Sequence, residues 1–293
     1  MGMDKPTIGL ALSSGGARGS AHVGVLKVLH EHNITPDLVV GTSMGAQVGG
    51  AYAAGVAIEE MEDHWRSVNF ASALKTLLPT IPWSGWSSGR SLRRFLEKLL
   101  SDRRIEDLPV PFRAVATDLE AGSPHVIDHG CLAEAIRASL SVPGLFTPVW
   151  IDGKLLIDGG VSNPMPVDVA TAMGADIVIA VDVLVEPAEV QMSGIPSIAR
   201  RERSLGIAAM PDLESKRFHP SVFAVLFQMS TVFQKRLCEM QLAANPPDVL
   251  IRPDFSGDPP SYASVGCGIE AGEIAARQAL PAIRRAMEVF RST

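Results

Sequence analysis

Two glycine-rich turns carry the residue types best suited to covalent chemistry. Gly41-Thr42-Ser43-Met44-Gly45 follows the apolar run "DLVV" and has the G-x-S-x-G form of a nucleophile elbow. In such an elbow a strand turns sharply into a helix and lifts the serine hydroxyl clear. The other turn, "LSSGGARG", follows the run "TIGLAL". It has neither the lysine of a phosphate-binding P-loop nor the G-x-G of a dinucleotide site, and the next strand ends in Gly41-Thr42-Ser43 where a dinucleotide site needs an acid. The third reading is an oxyanion hole, with the Gly15 and Gly16 amides at a helix N-terminus pointing where a carbonyl oxygen turns negative under attack. Either turn alone reads more readily as a tight turn that needs glycine. Placed on adjacent parallel strands, the pair favours chemistry.

A nucleophilic serine needs a base. Of the seven histidines (positions 22, 30, 32, 64, 125, 129 and 219), only His219 follows both Ser43 and the later aspartates, the chain order of an α/β-hydrolase triad. It lies in "RFHPS", a setting that suits a cap or a surface position, and His22 is expected to face a neighbouring element one turn into the first helix. Asp158 fits better. It ends the second strand of a hairpin, precedes Gly159-Gly160, and has the apolar neighbours Leu155, Leu156, Ile157 and Val161, which raise a carboxyl pKa. A carboxylate is a weaker base than imidazole but suffices where the leaving group is an ester alkoxide. On position alone, Asp158 is equally well read as a turn aspartate bonded to its own backbone.

The elements that position these residues follow from hydrophobic periodicity. Continuous apolar runs at 7–12, 37–40, 112–119 and 176–184 predict buried strands, and "DVLIR" (248–252) a further one. "PHVID" is expected to pair beside 112–119, and Asp152-Gly153 between apolar runs predicts a β-hairpin turn. Helices are predicted at about 18–31, 44–54, 58–67, 89–101, 131–139, 221–241 and 269–290. The alternation means an α/β fold with a mainly parallel central sheet. Neither an internal repeat nor a linker divides residues 1–293, so a single domain is expected, its catalytic core at about 7–185 and the elements of about 220–290 packing onto it. In helix 221–241, the stripe Val222, Leu226, Met229, Phe233, Leu237 and Met240 favours a core-facing helix over one that docks on a membrane. Trp83 and Trp86, in a Pro/Gly/Ser loop, fit a lipid-binding rim as well as half-buried packing, and "ARRER" (199–203) reads as a solvated face.

Composition bounds the partners. A net charge of −6 argues against nucleic acid and against electrostatic attraction to anionic lipid. Three scattered cysteines (Cys131, Cys238, Cys267) read as reduced thiols of a cytoplasmic protein, and "MGMDKPTIGL" does not look like a signal peptide. Residues 38–58 carry no charge but are built of small residues, which favours a buried strand and helix over a membrane span. No cluster has zinc or calcium spacing, so neither metal nor cofactor is expected.

"LSSGGARG", "GTSMG" and "DGGVSNP", in this order and spacing, resemble the patatin-like phospholipase family, and "RASLSVPGLFTPV" (137–149) is similar to the family's segment before its aspartate. The resemblance spans roughly residues 7–185. It implies a single three-layer α/β/α domain and a Ser-Asp dyad, with Ser43 as nucleophile and Asp158 as base. It also implies Gly15 and Gly16 as oxyanion donors, with Arg18 closing the glycine loop. Ser14 stands where the family has its first loop glycine; a positive φ is less favourable there, and Ser14 is left out of the donor set. Asn163-Pro164 is read as structural.

The expected activity is hydrolysis of carboxylic esters, above all lipid acyl esters of the phospholipid or lysophospholipid type, through an acyl-enzyme. A thioesterase or transacylase could use the same serine, and a catalytically idle lipid-binding protein could keep the fold. The expected partner is a lipid or other acyl ester, with transient contact at a membrane surface. Head group, chain length and oligomeric state stay open.

Overall fold

The computed structural model describes residues 5–67, 87–184, 222–255 and 265–292. Trp83, Trp86, "ARRER" and His219 lie outside these residues. The described strands are β1 (Ile8–Leu12), β2 (Leu38–Thr42), β3 (Phe112–Asp118), β4 (Ser123–Ile127), β5 (Val149–Ile151), β6 (Lys154–Asp158), β7 (Ile177–Val181) and β8 (Val249–Ile251). They form one sheet in the order β5-β6-β3-β2-β1-β7-β8, with β4 paired to β3 off this path. The β2, β1, β7 and β8 neighbours are parallel, as is β2 with β3, whereas β4, β5 and β6 pair antiparallel.

The continuous apolar runs exist because the central strands are covered on both faces. Ile8, Leu10 and Leu12 of β1 alternate with Ala11, Val39 of β2 with Leu38 and Val40, and Ile179 and Val181 of β7 with Val178 and Ala180. The first set of each meets α1 (Ser20–Glu31), α2 (Met44–Ala53), α5 (Leu132–Ser139) and α8 (Gly266–Ser292), with α3 (Ile58–Ser67) and α4 (Arg90–Leu100) outside them. The second set meets α6 (Val167–Ala172) and Cys238 of α7 (Val222–Ala244). This is a three-layer α/β fold. Among the described residues, no helix is long and apolar enough to cross a membrane.

The hairpin turn sits where the Asp-Gly pair put it: Asp152 and Gly153 both take positive φ, 50° and 76°, between β5 and β6. The helix after β1 is preceded by a 3-10 turn, Gly16–Gly19, and its α-helical part starts at Ser20.

The expectation of a core-facing stripe on α7 is corrected. Leu226, Met229, Phe233 and Met240 are exposed, and the inward face sets polar side chains beside the buried Cys238. Gln234 accepts a hydrogen bond from Ser14 Oγ (2.9 Å), and Gln241 accepts from Met165 N (3.4 Å) and donates to Ser162 O (3.3 Å). Lys235 and Arg252 reach the buried Asp182 carboxylate at 3.5 and 3.0 Å. The surface beneath α7 presents Asp182 and the polar groups of the turns beside the apolar patch that receives Cys238. Buried polar groups require partners, so the helix turns its polar side inward.

Candidate active site

The edge of β3 explains how residues 115 positions apart in the chain come together. Along it, β4 pairs with residues 114–118, while β2 pairs with 112–115 and β6 with 116–118. Each strand has two edges, so β2 and β6 share the one opposite β4. β2 runs parallel to β3 and ends at the pair Thr42–Val115; β6 runs antiparallel and ends at Asp158–Ala116. The two strands meet end to end, and the residues at their ends are the elbow and the aspartate.

Ser43 Oγ donates to Asp158 Oδ2 at 2.6 Å, and both residues are buried, 6% and 2% exposed. Asp158 Oδ1 accepts the Gly160 amide at 2.7 Å, so the turn bond weighed as an alternative coexists with the serine contact. Burial pushes the Asp158 carboxyl up to about 6, against the opposing effects of the Ser43 and Gly160 hydrogen bonds. The backbone at Ser43 has φ 54° and ψ −116°, a strained conformation for a non-glycine residue. Gly45 lets the start of α2 press on the Leu12 carbonyl, and Gly159 lets the β6 end press on that of Val115. A Cβ at either glycine would overlap those backbone oxygens.

β1 and β2 are parallel neighbours, with Leu12 beside Gly41, so the two glycine turns emerge together at the same end of the sheet. Gly19, in the first turn, packs directly on Met44 at the elbow. Gly16 has φ 57° and is exposed; Gly15 packs against Val183. Among the described residues, neither the Gly15 nor the Gly16 amide donates to another protein group. The Ser14 amide donates to Pro164 O at 2.9 Å, and Arg18 N closes the turn onto Gly15 O at 3.3 Å. Asn163-Pro164 is structural in a specific way: Thr42 Oγ1 donates to Asn163 O at 2.8 Å, so "DGGVSNP" touches both turns as well as the serine.

His22 is fully buried, and its Nε2 lies 3.0 Å from Ser13 O. Burial lowers its pKa to about 4, so the ring is neutral at pH 7 and Nε2–H donates to that carbonyl. It supports the first turn, and among the described residues its hydrogen bond goes to Ser13 and not to Ser43. Sequence reasoning passed over Ser139, Ser141 and Thr117, which hold the backbone of Ser43 and Asp158: Ser43 N donates to Ser139 Oγ, Asp158 N to Ser141 O, and Thr117 Oγ1 to Asp158 O. Two of the three lie inside "RASLSVPG", which was visible as a motif without its serines being singled out.

An α/β sheet with an elbow serine against a buried carboxylate defines the class, and comparison with known proteins gives the family. The patatin-like phospholipase family model matches residues 10–171, more than half of the chain. The chain belongs to the patatin-like phospholipase family. It is 41% identical over 181 residues to an uncharacterized NTE family protein of Mycobacterium tuberculosis, covering 61% of this chain and 50% of that protein. It is 39% identical over 182 residues to human patatin-like phospholipase domain-containing protein 6, covering 60% of this chain and 13% of that protein. The chain thus spans half the length of the mycobacterial relative and a small part of the human one. Among solved structures, human GIVD cytosolic phospholipase A2 matches with a TM-score of 0.47 at 11% identity, over 98% of this chain and 60% of that one. VipD from Legionella pneumophila matches with a TM-score of 0.46 at 14% identity, over 95% and 67%.

Proposed function

We propose that the protein is a lipid acyl hydrolase that cleaves carboxylic esters of phospholipid or lysophospholipid type through a Ser43–Asp158 dyad. The single observation that carries this is the 2.6 Å bond from a strained elbow serine to a buried carboxylate, in a chain of this family. Ser43 Oγ attacks the ester carbonyl carbon while Asp158 Oδ2 takes its proton. The carbonyl oxygen turns negative against the Gly15 and Gly16 amides, with Arg18 holding the turn closed. Collapse of the adduct expels the alcohol, which leaves with the proton from Asp158, and Ser43 keeps the acyl group. Water then gives a proton to Asp158 and attacks the acyl-enzyme; the acid departs and Ser43 regains its proton. Burial makes Asp158 a better base than a solvated carboxylate yet leaves it ionised at neutral pH. Lipid-product analysis on a panel of acyl esters, wild type beside Ser43→Ala, tests the assignment. Thioester cleavage alone, or acyl transfer without release of free acid, would replace it.

Two expectations follow from the geometry. Activity requires ionised Asp158, so kcat/KM should fall as pH drops through about 6. The apparent pKa should hardly move on warming, as a carboxyl's does; a marked downward drift would indicate imidazole instead. Gly16→Val places a β-branched residue at φ 57° and displaces the amide turn. Turnover should drop by about 10²–10³, far more than substrate affinity weakens, because an oxyanion donor acts mainly in the transition state. A change in KM alone would mean that the turn binds substrate without stabilising charge.

A further inference from the structure

We propose that Ser139 is a positioning residue whose hydroxyl holds the nucleophile's backbone at the angle from which Ser43 Oγ reaches Asp158; this rests on the dyad reading above. Ser139 is fully buried at the C-terminal end of α5. Its Oγ accepts from Ser43 N at 2.7 Å and donates to Val115 O at 2.6 Å. Val115 is the last β3 residue paired with β2, opposite Thr42. At the next residue the chain turns away into the elbow, and the hydroxyl relays between the two strands the ladder bond that the turn interrupts. Two residues further on, Ser141 O accepts from Asp158 N at 3.0 Å. One short segment therefore ties down the backbone of both dyad members.

The physical requirement is specific. A non-glycine backbone in a sparsely populated region is strained and persists only where its surroundings over-determine it. For Ser43, with φ 54°, the amide bond to Ser139 is one such restraint. A hydroxyl both accepts from the amide and donates to the carbonyl through one small group, a pairing that alanine cannot make. Alanine leaves two buried backbone groups without partners. The elbow then relaxes toward ordinary φ, and Oγ swings away from Asp158. The substrate's own contacts are untouched, so the defect belongs to turnover.

The test compares wild type, Ser139→Ala and Ser139→Thr on one soluble short-chain ester and with a fluorophosphonate probe, well below each protein's Tm. Ser139→Ala should lower kcat by about 10–100-fold with KM within about twofold, because displacements near 1 Å cost rates of that order. Labelling of Ser43 should slow by the same factor, and Ser139→Thr, which keeps the hydroxyl, should recover most of both. In ¹⁵N-labelled protein, the Ser43 amide should exchange with deuterium faster in Ser139→Ala than in wild type. A folded Ser139→Ala protein with wild-type kcat, or a loss carried by KM, overturns the proposal, as does unchanged Ser43 amide exchange. Should Ser139→Thr fail to fold, the alanine variant and amide exchange decide. A wild type that neither hydrolyses esters nor takes the probe defeats the dyad reading, and Ser43 amide exchange then decides between a positioning contact and none.

Discussion

Ser43→Ala should abolish ester hydrolysis while the protein stays folded. Alanine occupies the same backbone region as serine at the elbow, and only Oγ is lost from a residue that is 6% exposed. Removing a serine nucleophile from comparable hydrolases costs on the order of 10⁴–10⁶ in turnover. What remains comes from the amide turn acting on bound substrate. The same substitution removes a donor that stabilises ionised Asp158, so the carboxyl pKa rises above its wild-type value. Product release by folded Ser43→Ala comparable with wild type would end the esterase assignment.

Asp158→Asn should be nearly as severe for activity and should change stability in the opposite sense. The amide side chain keeps the shape but takes no proton from Ser43. Because the two residues act as one unit, the double variant should be hardly slower than either single one. For stability, the folded-state pKa of Asp158 lies above its ordinary 3.8, at about 6. Its contribution is therefore fully present at low pH, where it is protonated in both states, and is lost as pH rises through about 6. By pH 7 the buried charge costs about 3 kcal/mol relative to the protonated form. Asn has no charge to bury, so Asp158→Asn should be more stable than wild type at pH 7 in denaturant unfolding. Its stability should also lack the decline between pH 4 and 6. An active Asp158→Asn enzyme, or one with wild-type pH dependence of stability, would remove Asp158 from the role of buried base.

Much of this arrangement was legible because its signals are local. β1, β2 and β7 read as strands since both their faces are buried, and the hairpin read from Asp152-Gly153, whose positive φ values the turn requires. The elbow and the aspartate were legible as motifs. What hid was orientation. An apolar stripe on α7 says that the helix is amphipathic, not which side faces the sheet; the answer depends on Asp182, Ser14 and Ser162 beneath it. Ser139 hid for a related reason. Its partners are a backbone amide 96 positions away and a carbonyl 24 away, and no spacing within its own segment announces them.

The way β7 sits against β1 bears on when this site comes into being. The turn after β1 is held from that side: Ser13 N donates to Val181 O, Val183 N donates to Ser13 Oγ, and Gly15 rests on Val183. These bonds join residues about 170 positions apart, and such long-range pairings are slow to close. A chain still emerging from the ribosome therefore carries its elbow serine long before it has either the carboxylate at 158 or the strand at 177–181 that shapes the amide turn. A chain at that stage holds a serine as ordinary as any other, and on the hydrolase reading proposed above the nascent protein is inert toward esters.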